Sequence, residues 1–353
     1  MRDQAADRDS GAATRTGRPR MVDVARLAGV SQATVSFVLN DRTDIPVAAA
    51  TRQRILDAAG ELGYRLNRAA QELKLARSTT VGVVSYGIAS HPFAGRTLLG
   101  IQNAARARGH VCMVVDVADE PDHGADAVAS LLDRGVAGLL FASPAALGVR
   151  TPAIDRSVRT AFSSCWPVDA ETAGDVRAEV LPDERAGGYR AARAVLDAGH
   201  RDVLFLGGTP EEWATIERER GLDDAAAELG IGAASIDRVH GDYSTRRGYD
   251  LAAEAFDRHR YTAVVCGNDR MALGALLLLR ERGLAVPDDV SLVGYDDQEA
   301  LAAELHPPLT TVALPHFEIG ALALDALLDD EPRGRVTVTC PPVERASVAP
   351  PRA

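Results

Sequence analysis

The spacing of the hydrophobic residues in this 353-residue chain changes near Thr79. Before Thr79, apolar side chains recur every three or four positions, which is typical of amphipathic helices. This spacing predicts helices over residues 22–28, 31–39 and 47–62, with Gly29 as the turn between the first two. Three helices this short have few ways to share one core, so we expect a small all-α domain.

After Thr79, short β-rich runs alternate with helical stretches. Near-continuous apolar strands separated by amphipathic helices are typical of parallel sheets that are covered on both faces. This part of the chain is long for one sheet, which favours two similar α/β lobes facing each other across a cleft. The predicted strands cover 81–86, 110–116, 136–142, 202–207, 262–267 and 290–294, and the predicted helices lie near 95–108, 122–134, 185–198, 245–258 and 269–282.

The charge is distributed unevenly along the chain. The net charge is −11, but residues 1–78 hold 13 Lys+Arg against 9 Asp+Glu, a net of +4, so the remainder carries −15. The acidic charge of the whole chain argues against a protein that covers nucleic acid non-specifically. The basic N-terminal segment is compatible with local DNA binding.

The composition indicates no metal site, disulfide framework or cofactor. The four cysteines are Cys112, Cys165, Cys266 and Cys340, far apart and without the spacing of zinc ligands. Residues 1–20 lack the apolar run of a secretory signal, and no segment reaches the ~20 apolar residues of a membrane span. We therefore expect a cytoplasmic protein with no membrane partner.

Residues 23–36 have the layout of a helix-turn-helix, Asp-Val-Ala-Arg-Leu-Ala-Gly-Val-Ser-Gln-Ala-Thr-Val-Ser. In such a motif the second helix lies in the major groove of DNA. Gln32 can pair with adenine, and Ala33 or Phe37 can pack against a thymine methyl. The alternative is a solvated helix of a bundle, which the large apolar Phe37 on a polar face disfavours.

Residues 21–81 closely resemble the head of the LacI/GalR family of transcriptional regulators. The resemblance rests on Met-Val-Asp-Val-Ala at 21–25, Thr-Val-Ser-Phe-Val-Leu-Asn at 34–40 and Glu-Leu-Gly-Tyr at 61–64. It implies binding to double-stranded operator DNA. The expected contacts in the head come from Ser31, which also caps the second helix, and from Gln32, Ala33, Thr34, Ser36, Phe37 and Asn40.

A hinge follows the head in that family, and Asn-Arg-Ala-Ala-Gln-Glu-Leu-Lys at 67–74 is similar to it. The resemblance implies a helix that forms only on the operator and inserts a leucine into the minor groove. An eight-residue helix is too short to be stable alone, which agrees with folding on a partner. The alternative is that the leucine seats a linker against the next domain. The expected hinge contacts are Asn67, Arg68, Ala70 and Leu73.

Two departures from the family pattern lie in the head. Arg20 and Met21 stand where a Thr or Ser commonly caps the first helix, so we expect its start to be less well fixed. Phe37 stands where Arg, His or Asn is common, so a guanine contact is lost and the operator should differ there.

The resemblance continues to about Val348, most densely at 286–297, Val-Pro-Asp-Asp-Val-Ser-Leu-Val-Gly-Tyr-Asp-Asp. It implies the periplasmic binding protein type I architecture, in which two Rossmann-like lobes hold a ligand between them. Asn268 and Asp296 each follow a predicted strand, and open α/β sheets bind ligands at the carboxyl ends of their strands. A carboxylate that accepts two adjacent hydroxyls suits a sugar.

Matching the family motif adds three residues to this effector site, namely Phe93, Tyr243 and Arg218 as a forked donor. Structural alternatives remain open, because an aspartate after a strand, such as Asp296, often caps the next helix, Tyr243 can pack a loop, and Arg218 can lie on a solvated face. The expected effector contacts also include Cys165, which stands where an aspartate is common, and Trp213, which together with Glu212 stands where polar or basic groups are common. These departures leave a glycoside, a basic compound and an aromatic aglycone open.

The predicted domains are a disordered basic arm (1–19), the head (20–65), the hinge and linker (66–78) and an effector-binding and dimerisation domain (79–353). In the last, we expect an N-lobe over 79–176 and 309–332 and a C-lobe over 177–308 and 333–349. We expect His91 and His306 near the cleft.

The expected function is repression of a carbohydrate uptake or catabolism operon. The regulator would bind a pseudo-palindromic operator as a homodimer, with a tetramer left open, and a sugar-like effector would modulate its affinity. It is not expected to be an enzyme, because GxGxxG, GxxxxGK[ST] and HExxH are all missing. A sugar-processing α/β enzyme and a regulator without ligand control remain the alternatives.

Overall fold

The computed structural model describes residues 19–40, 42, 45–65, 78–88, 91, 93–118, 123–232 and 236–352. The chain divides into two compact units, with the boundary between residues 77 and 78. The predicted hinge contacts Asn67, Arg68, Ala70 and Leu73, and the predicted arm up to residue 18, lie outside the described residues.

The first unit has three helices close to the predicted positions: α1 (Met21–Ala28), α2 (Gln32–Leu39) and α3 (Ala49–Glu61). Gly29 ends α1 with φ 64°, the left-handed conformation that glycine adopts without strain. Val24, Val35 and Ile55, one from each helix, are fully buried at the centre of the unit. Each helix therefore supplies part of a single small core.

The N-terminus of α1 is capped by the Asp23 side chain rather than by a Thr or Ser side chain before the helix. The Arg20 N–H donates a hydrogen bond to Asp23 Oδ2 at 2.9 Å. This contact is one half of a capping box, with the acidic side chain reaching back to the residue before the helix. The start of α1 thus has a cap that does not depend on the side chain of Arg20.

The second unit contains a six-stranded sheet in the order β11-β5-β4-β3-β1-β2, with parallel pairing throughout. Two apolar clusters cover its two faces. The strands are β1 (Thr80–Ser85), β2 (Val111–Asp116), β3 (Leu139–Val149), β4 (Ile154–Pro167), β5 (Ala173–Pro182) and β11 (Gly334–Val338), and the associated helices are α4 (Gly95–Ala107), α5 (His123–Leu132) and α10 (His316–Leu328).

A four-stranded parallel sheet, in the order β7-β6-β8-β9, forms the second lobe. Helices lie on both of its faces, as the alternation of strands and helices predicts. The strands are β6 (Val203–Gly207), β7 (Ile236–His240), β8 (Ala263–Cys266) and β9 (Ser291–Val293), and the helices are α6 (Glu184–Leu196), α7 (Trp213–Glu228), α8 (Thr245–Phe256) and α9 (Asp269–Glu281). A short antiparallel pair, β10 (Thr311–Val312) with β12 (Pro342–Val343), completes the unit.

The lobe boundaries differ from the predicted ones. Strand β5 pairs with β4, and β11 pairs with β5, so both belong to the first lobe although the prediction placed 177–182 and 334–338 in the second. Residues around Thr310 and Ala313 bridge to the β9 region, so they belong to the second lobe. Strand pairing decides which lobe a segment belongs to. By this criterion, the chain crosses between the lobes after β5, before α10 and after β11.

Within the described residues, no single helix is long and apolar enough to cross a membrane. Helices α1 and α2, which are bent by 104° to each other, reach the required length and composition only as a pair. The four cysteines are free, and no group of three or more His, Cys, Asp or Glu side chains in the described part of the chain could hold a metal ion.

Candidate functional site

A cavity of about 240 Å³ lies between the two lobes of the second unit. Residues that follow strands or begin helices supply its polar groups, as expected for the carboxyl edge of parallel sheets. The first lobe contributes His91, Phe93, Ala145, Ser164 and His316, and the second lobe contributes Glu212, Arg218, Tyr243, Asn268, Arg270 and Asp296, among others.

Asp296 brings a carboxylate into this cavity through an unusual backbone. Asp296 lies just after β9 and has φ 104°, a backbone conformation that residues other than glycine rarely adopt. Its backbone N–H donates a hydrogen bond to Val312 O at 2.8 Å. The side chain accepts a hydrogen bond from Gln298 Nε2 at 2.7 Å. Burial raises the pKa of Asp296 to about 6. The carboxylate is therefore held in place and is charged above that pH.

Arg218 is one of the residues that line the cavity, but two nitrogens of its guanidinium donate hydrogen bonds to a carboxylate of the protein. Its Nε and Nη2 donate to the two carboxylate oxygens of Glu184 at 2.7 and 2.9 Å. Its Nη2 also lies 3.9 Å from Asp296 Oδ1. Two nitrogens of the Arg218 guanidinium thus pair with Glu184 in this structure, and the role of Arg218 as a forked donor to an effector stays a prediction.

Asn268 and Tyr243 meet on the second-lobe wall. Asn268 caps α9, because its Oδ1 accepts the Met271 N–H at 2.8 Å, and its Nδ2 donates to Tyr243 O at 3.0 Å. Tyr243 has φ 62°, and its hydroxyl lies 2.7 Å from Thr215 Oγ1. Loop packing, the structural alternative for Tyr243, is present, and Asn268 caps a helix, a role that was not predicted for it. Both side chains nevertheless face the cavity.

Phe93 and its neighbours form the first-lobe wall. The His91 and Phe93 ring centroids are 5.8 Å apart, and the Arg270 guanidinium lies 5.5 Å from the Phe93 centroid across the cleft. His316 also lines the cavity, and burial lowers its pKa to about 4. His91 is where it was predicted, whereas His306 does not line the cavity; His316, the first residue of α10, was missed because a single histidine beside an apolar helix carries no signal.

Cys165 does not reach the cleft, contrary to the prediction. It is fully buried in an apolar cluster of the first lobe, and its Sγ donates to Phe141 O at 3.5 Å. Neighbouring residues of a strand face opposite sides, so the adjacent Ser164 lines the cavity instead. The position that is commonly an aspartate in the family is therefore filled here by core packing, and a serine takes its place at the wall.

Trp213 is the first residue of α7 and lies beside the cavity rather than on its wall. The residues on either side of it, Glu212 and Ala214, do line the cavity. Its ring contacts Trp166, at the end of β4, with the centroids 5.7 Å apart. Trp213 therefore contacts the opposite lobe at the edge of the cleft.

The second helix of the head carries a polar outer face. Gln32 and Ala33 are exposed, and Ser31 caps the helix, because its Oγ accepts the Thr34 N–H at 3.1 Å. Asn40 ends the helix and donates through Nδ2 to Ser36 Oγ at 3.1 Å.

Phe37 is half-buried and lies outside the apolar cluster of the head. A large apolar residue that the core leaves out is available to contact a partner, together with the exposed Gln32 and Ala33.

A helix-turn-helix unit joined to a two-lobed α/β unit with a cleft defines a class of DNA-binding regulators. Two family descriptions match the chain: "Bacterial regulatory proteins, lacI family" over residues 20–67 and "Periplasmic binding protein-like domain" over 192–348. The chain is 30% identical to Catabolite control protein A of Priestia megaterium over 311 residues, which cover 86% of this chain and 90% of that protein. The chain belongs to the LacI family of transcriptional regulators.

Other relatives agree with this assignment. The HTH-type transcriptional repressor PurR of Vibrio campbellii (strain ATCC BAA-1116) is 31% identical over 313 residues, 87% of this chain and 90% of that one. The lac repressor dimer bound to operator and the anti-inducer ONPF superposes with a TM-score of 0.74 at 27% identity, covering 94% of this chain and all of that one. The expected class, a DNA-binding transcriptional repressor with a periplasmic-binding-protein-like body, is confirmed.

Proposed function

We propose that the chain binds a pseudo-palindromic operator as a homodimer and so represses the genes beside it. The support is the outer face of α2, where Gln32 and Ala33 are exposed and Phe37 lies outside the core cluster. The second helix of such a motif enters the major groove, and two heads related by a two-fold axis read two half-sites. The related lac repressor was solved as a dimer on its operator.

The hinge adds minor-groove contacts in this proposal. Asn67, Arg68 and Ala70 would lie along the groove, and Leu73 would part a base step and bend the DNA. Leu73→Ala should weaken specific operator binding more than non-specific binding, measured by titration of labelled duplexes. Equal losses on both duplexes would favour the alternative of a structural linker.

The cleft is proposed to bind a sugar-like effector. The observation that carries this proposal is the Asp296 carboxylate, held in a cavity between lobes with Tyr243 and Phe93 on opposite walls. A buried carboxylate accepts hydrogen bonds from adjacent hydroxyls, while aromatic rings pack against the apolar face of a pyranose. The similar regulator CelR was solved with cellobiose, at 27% identity and a TM-score of 0.62. Control of a carbohydrate operon in the cytoplasm follows from this proposal.

Effector and operator would be coupled through the arrangement of the lobes. A ligand that contacts both lobes favours one arrangement and changes the spacing of the two hinges in the dimer. A coupling of ~1–3 kcal/mol changes operator affinity ~5–150-fold, and its sign decides between inducer and corepressor.

The deciding experiment uses the full chain and its Asp296→Asn variant. Both are screened by thermal shift against a panel of monosaccharides, glycosides and nucleosides, and any ligand found is added to an operator-binding assay. We expect a stabilising ligand that Asp296→Asn no longer binds and that changes operator affinity. A panel without any hit would favour a regulator without ligand control, and turnover of a sugar would favour the enzyme alternative.

The head is tested separately by truncation. A chain that begins at Thr79 should stay folded and lose specific operator binding. Retention of specific binding by this truncated chain would contradict the assignment of the head.

A further inference from the structure

The only two tryptophans of the chain contact each other across the cleft. Trp166 is the second-last residue of β4 in the first lobe, and Trp213 is the first residue of α7 in the second lobe. Their ring centroids are 5.7 Å apart, and the planes are inclined by 63°, an edge-to-face arrangement. The tryptophan pair, Trp166 and Trp213, therefore closes one edge of the cleft.

The tryptophan pair is not part of the hydrophobic core. Both rings are half-buried, and neither belongs to an apolar cluster of the described residues. Gly148 leaves room for Trp166, because a Cβ there would lie 3.1 Å from the indole Nε1. Aromatic rings that the core leaves partly open at a cleft edge offer flat apolar faces to a ligand.

The neighbours of Trp213 connect the pair to the cavity. Glu212 and Ala214 both line it, on either side of Trp213 in sequence. Glu212 stands at the N-cap of α7 but makes no side-chain cap hydrogen bond. A ligand that extends from Asp296 toward this edge would meet a carboxylate first and the two rings next.

The size of the cavity limits what fits inside it. Its volume of about 240 Å³ is below the roughly 300–1,000 Å³ of sites for drug-sized ligands. One sugar ring against Asp296 would occupy most of it. A second ring on the same ligand would lie outside this cavity, either at the edge that the tryptophan pair closes or in the adjoining cavity of about 560 Å³ that shares Asp296 and Phe93.

We propose that Trp166 and Trp213 form an outer subsite for a ring that is glycosidically attached to the sugar held by Asp296. The attached ring is a second sugar or an aromatic aglycone, and both present a flat face to the indoles. Glu212 would accept a hydroxyl hydrogen bond only from a second sugar. This inference rests on the proposed sugar effector and deepens it from any small sugar to a two-ring glycoside.

The test compares matched ligands on the full chain by titration calorimetry. Methyl and phenyl β-D-glycosides of glucose, galactose and xylose are paired, and cellobiose and lactose are added as two-sugar probes. We expect a two-ring ligand to bind about tenfold more tightly than its methyl partner. In the Trp213→Ala and Trp166→Ala variants, the ratio of the affinity for the two-ring ligand to the affinity for its methyl partner should fall close to one. Glu212→Gln should lower the affinity for a disaccharide and leave the affinity for a phenyl glycoside unchanged. This difference would show whether the attached ring is a sugar or an aromatic ring.

Two controls keep the test decisive if an alanine variant folds poorly. Trp213→Phe keeps a flat ring and should keep most of the preference, while Leu229→Ala, at the far end of α7 and exposed, should keep all of it. The intrinsic fluorescence of the unmodified chain, which comes from these two indoles, should shift with a two-ring ligand and not with its methyl partner.

The outcomes separate the two proposals. A methyl glycoside that binds as tightly as its two-ring partner, or a preference that survives both alanine variants, overturns the outer subsite and leaves the sugar effector intact. Failure of every sugar probe to bind the unmodified chain overturns the sugar effector, and the subsite with it.

Discussion

Arg218 and Glu184 form a bidentate ion pair beneath the candidate effector cleft. The side chains are 5% and 2% exposed, and the contacts join α7 to α6. Arg218 also lies near Asp296 and stacks on Tyr295, with 3.6 Å between the guanidinium carbon and the ring centroid. A buried charge that loses its partner stays desolvated, so this pair links the stability of the second lobe to the geometry of the cleft.

We expect Glu184→Gln to lower the free energy of unfolding by about 3–5 kcal/mol. The substitution keeps the shape of the side chain and removes its charge, which leaves the buried Arg218 guanidinium without its bidentate carboxylate partner and with Asp296 3.9 Å away as the remaining counter-charge. Urea denaturation followed by circular dichroism measures the loss.

The same two helices provide a matched control. Arg185 on α6 pairs bidentately with Asp224 on α7 at 2.6 and 2.9 Å, but these side chains are 54% and 43% exposed. Water screens such a pair, so Asp224→Asn should change stability little. Similar losses from Glu184→Gln and Asp224→Asn would show that burial of the pair is not what matters.

Close packing of α6 on α7 gives a second prediction. A Cβ at Gly221 would lie 2.1 Å from Arg185 O and 2.4 Å from Tyr189 N, both backbone atoms. Gly221→Ala should therefore push the helices apart and cost about 1–3 kcal/mol, measured by thermal unfolding. Gly124 in α5 has no atom within 4 Å of its added Cβ, so Gly124→Ala should leave the unfolding temperature unchanged or higher. Equal destabilisation by both would contradict this account.

The sequence predicted the elements whose hydrophobic pattern is local. Helices α1 to α3 and strands β1 and β2 lie within about two residues of the prediction. The helices have apolar residues at helical spacing, and the two strands are short continuous apolar runs in the sequence. Strand β5 was missed because Arg177 and Glu179 interrupt its apolar run. Glu179 is matched by Arg335 on the neighbouring β11 at 2.6 Å, a partner that is distant in sequence.

In the candidate site, too, the sequence predicted only the features that depend on local order along the chain. Asp296 and Asn268 were predicted because each comes within three residues after the end of a strand, a relation that sequence order contains. Cys165 and Ser164 are adjacent, and only the pleat and backbone of β4 decide which of them faces the cleft. The partners of Arg218 and the contact between the two tryptophans join distant segments, so no local pattern indicates them.

For the head, we expect Gln32→Ala to weaken binding to a selected operator by about 1–3 kcal/mol and to relax discrimination at one base pair. Gln32 is exposed near the N-terminus of α2, the end of a recognition helix that faces base edges. Competition titration with duplexes that vary single base pairs measures the effect. Gln53, exposed on α3 and bonded to Asp57 at 2.9 Å, is the control, and Gln53→Ala should leave discrimination intact. If Gln53→Ala lost discrimination between base pairs and Gln32→Ala kept it, the helix that contacts the base edges would be α3 and not α2.

Effector affinity should fall as the pH drops below about 6, because burial raises the pKa of Asp296 to about 6 and a protonated carboxyl accepts hydroxyl hydrogen bonds poorly. The charged groups that act on Asp296 are Arg218, Glu184 and Arg270. Asp269 also interacts with Asp296, and its own pKa is raised to about 8 by burial and by the Asp296 charge, so it titrates within the same pH range. His316, with its pKa lowered to about 4 by burial, stays neutral across this range. Calorimetric titration between pH 5 and 8 measures the effect.

The contribution of Asp296 to the stability of the unliganded protein should change with pH in the opposite direction. A carboxyl whose pKa is 3.8 when unfolded and about 6 when folded binds more protons in the folded state, so its contribution to stability falls as the pH rises between these values. Ligand affinity rises over the same interval. Asp296→Asn should flatten both trends. A pH dependence of binding that persists in Asp296→Asn would assign the titration to another group.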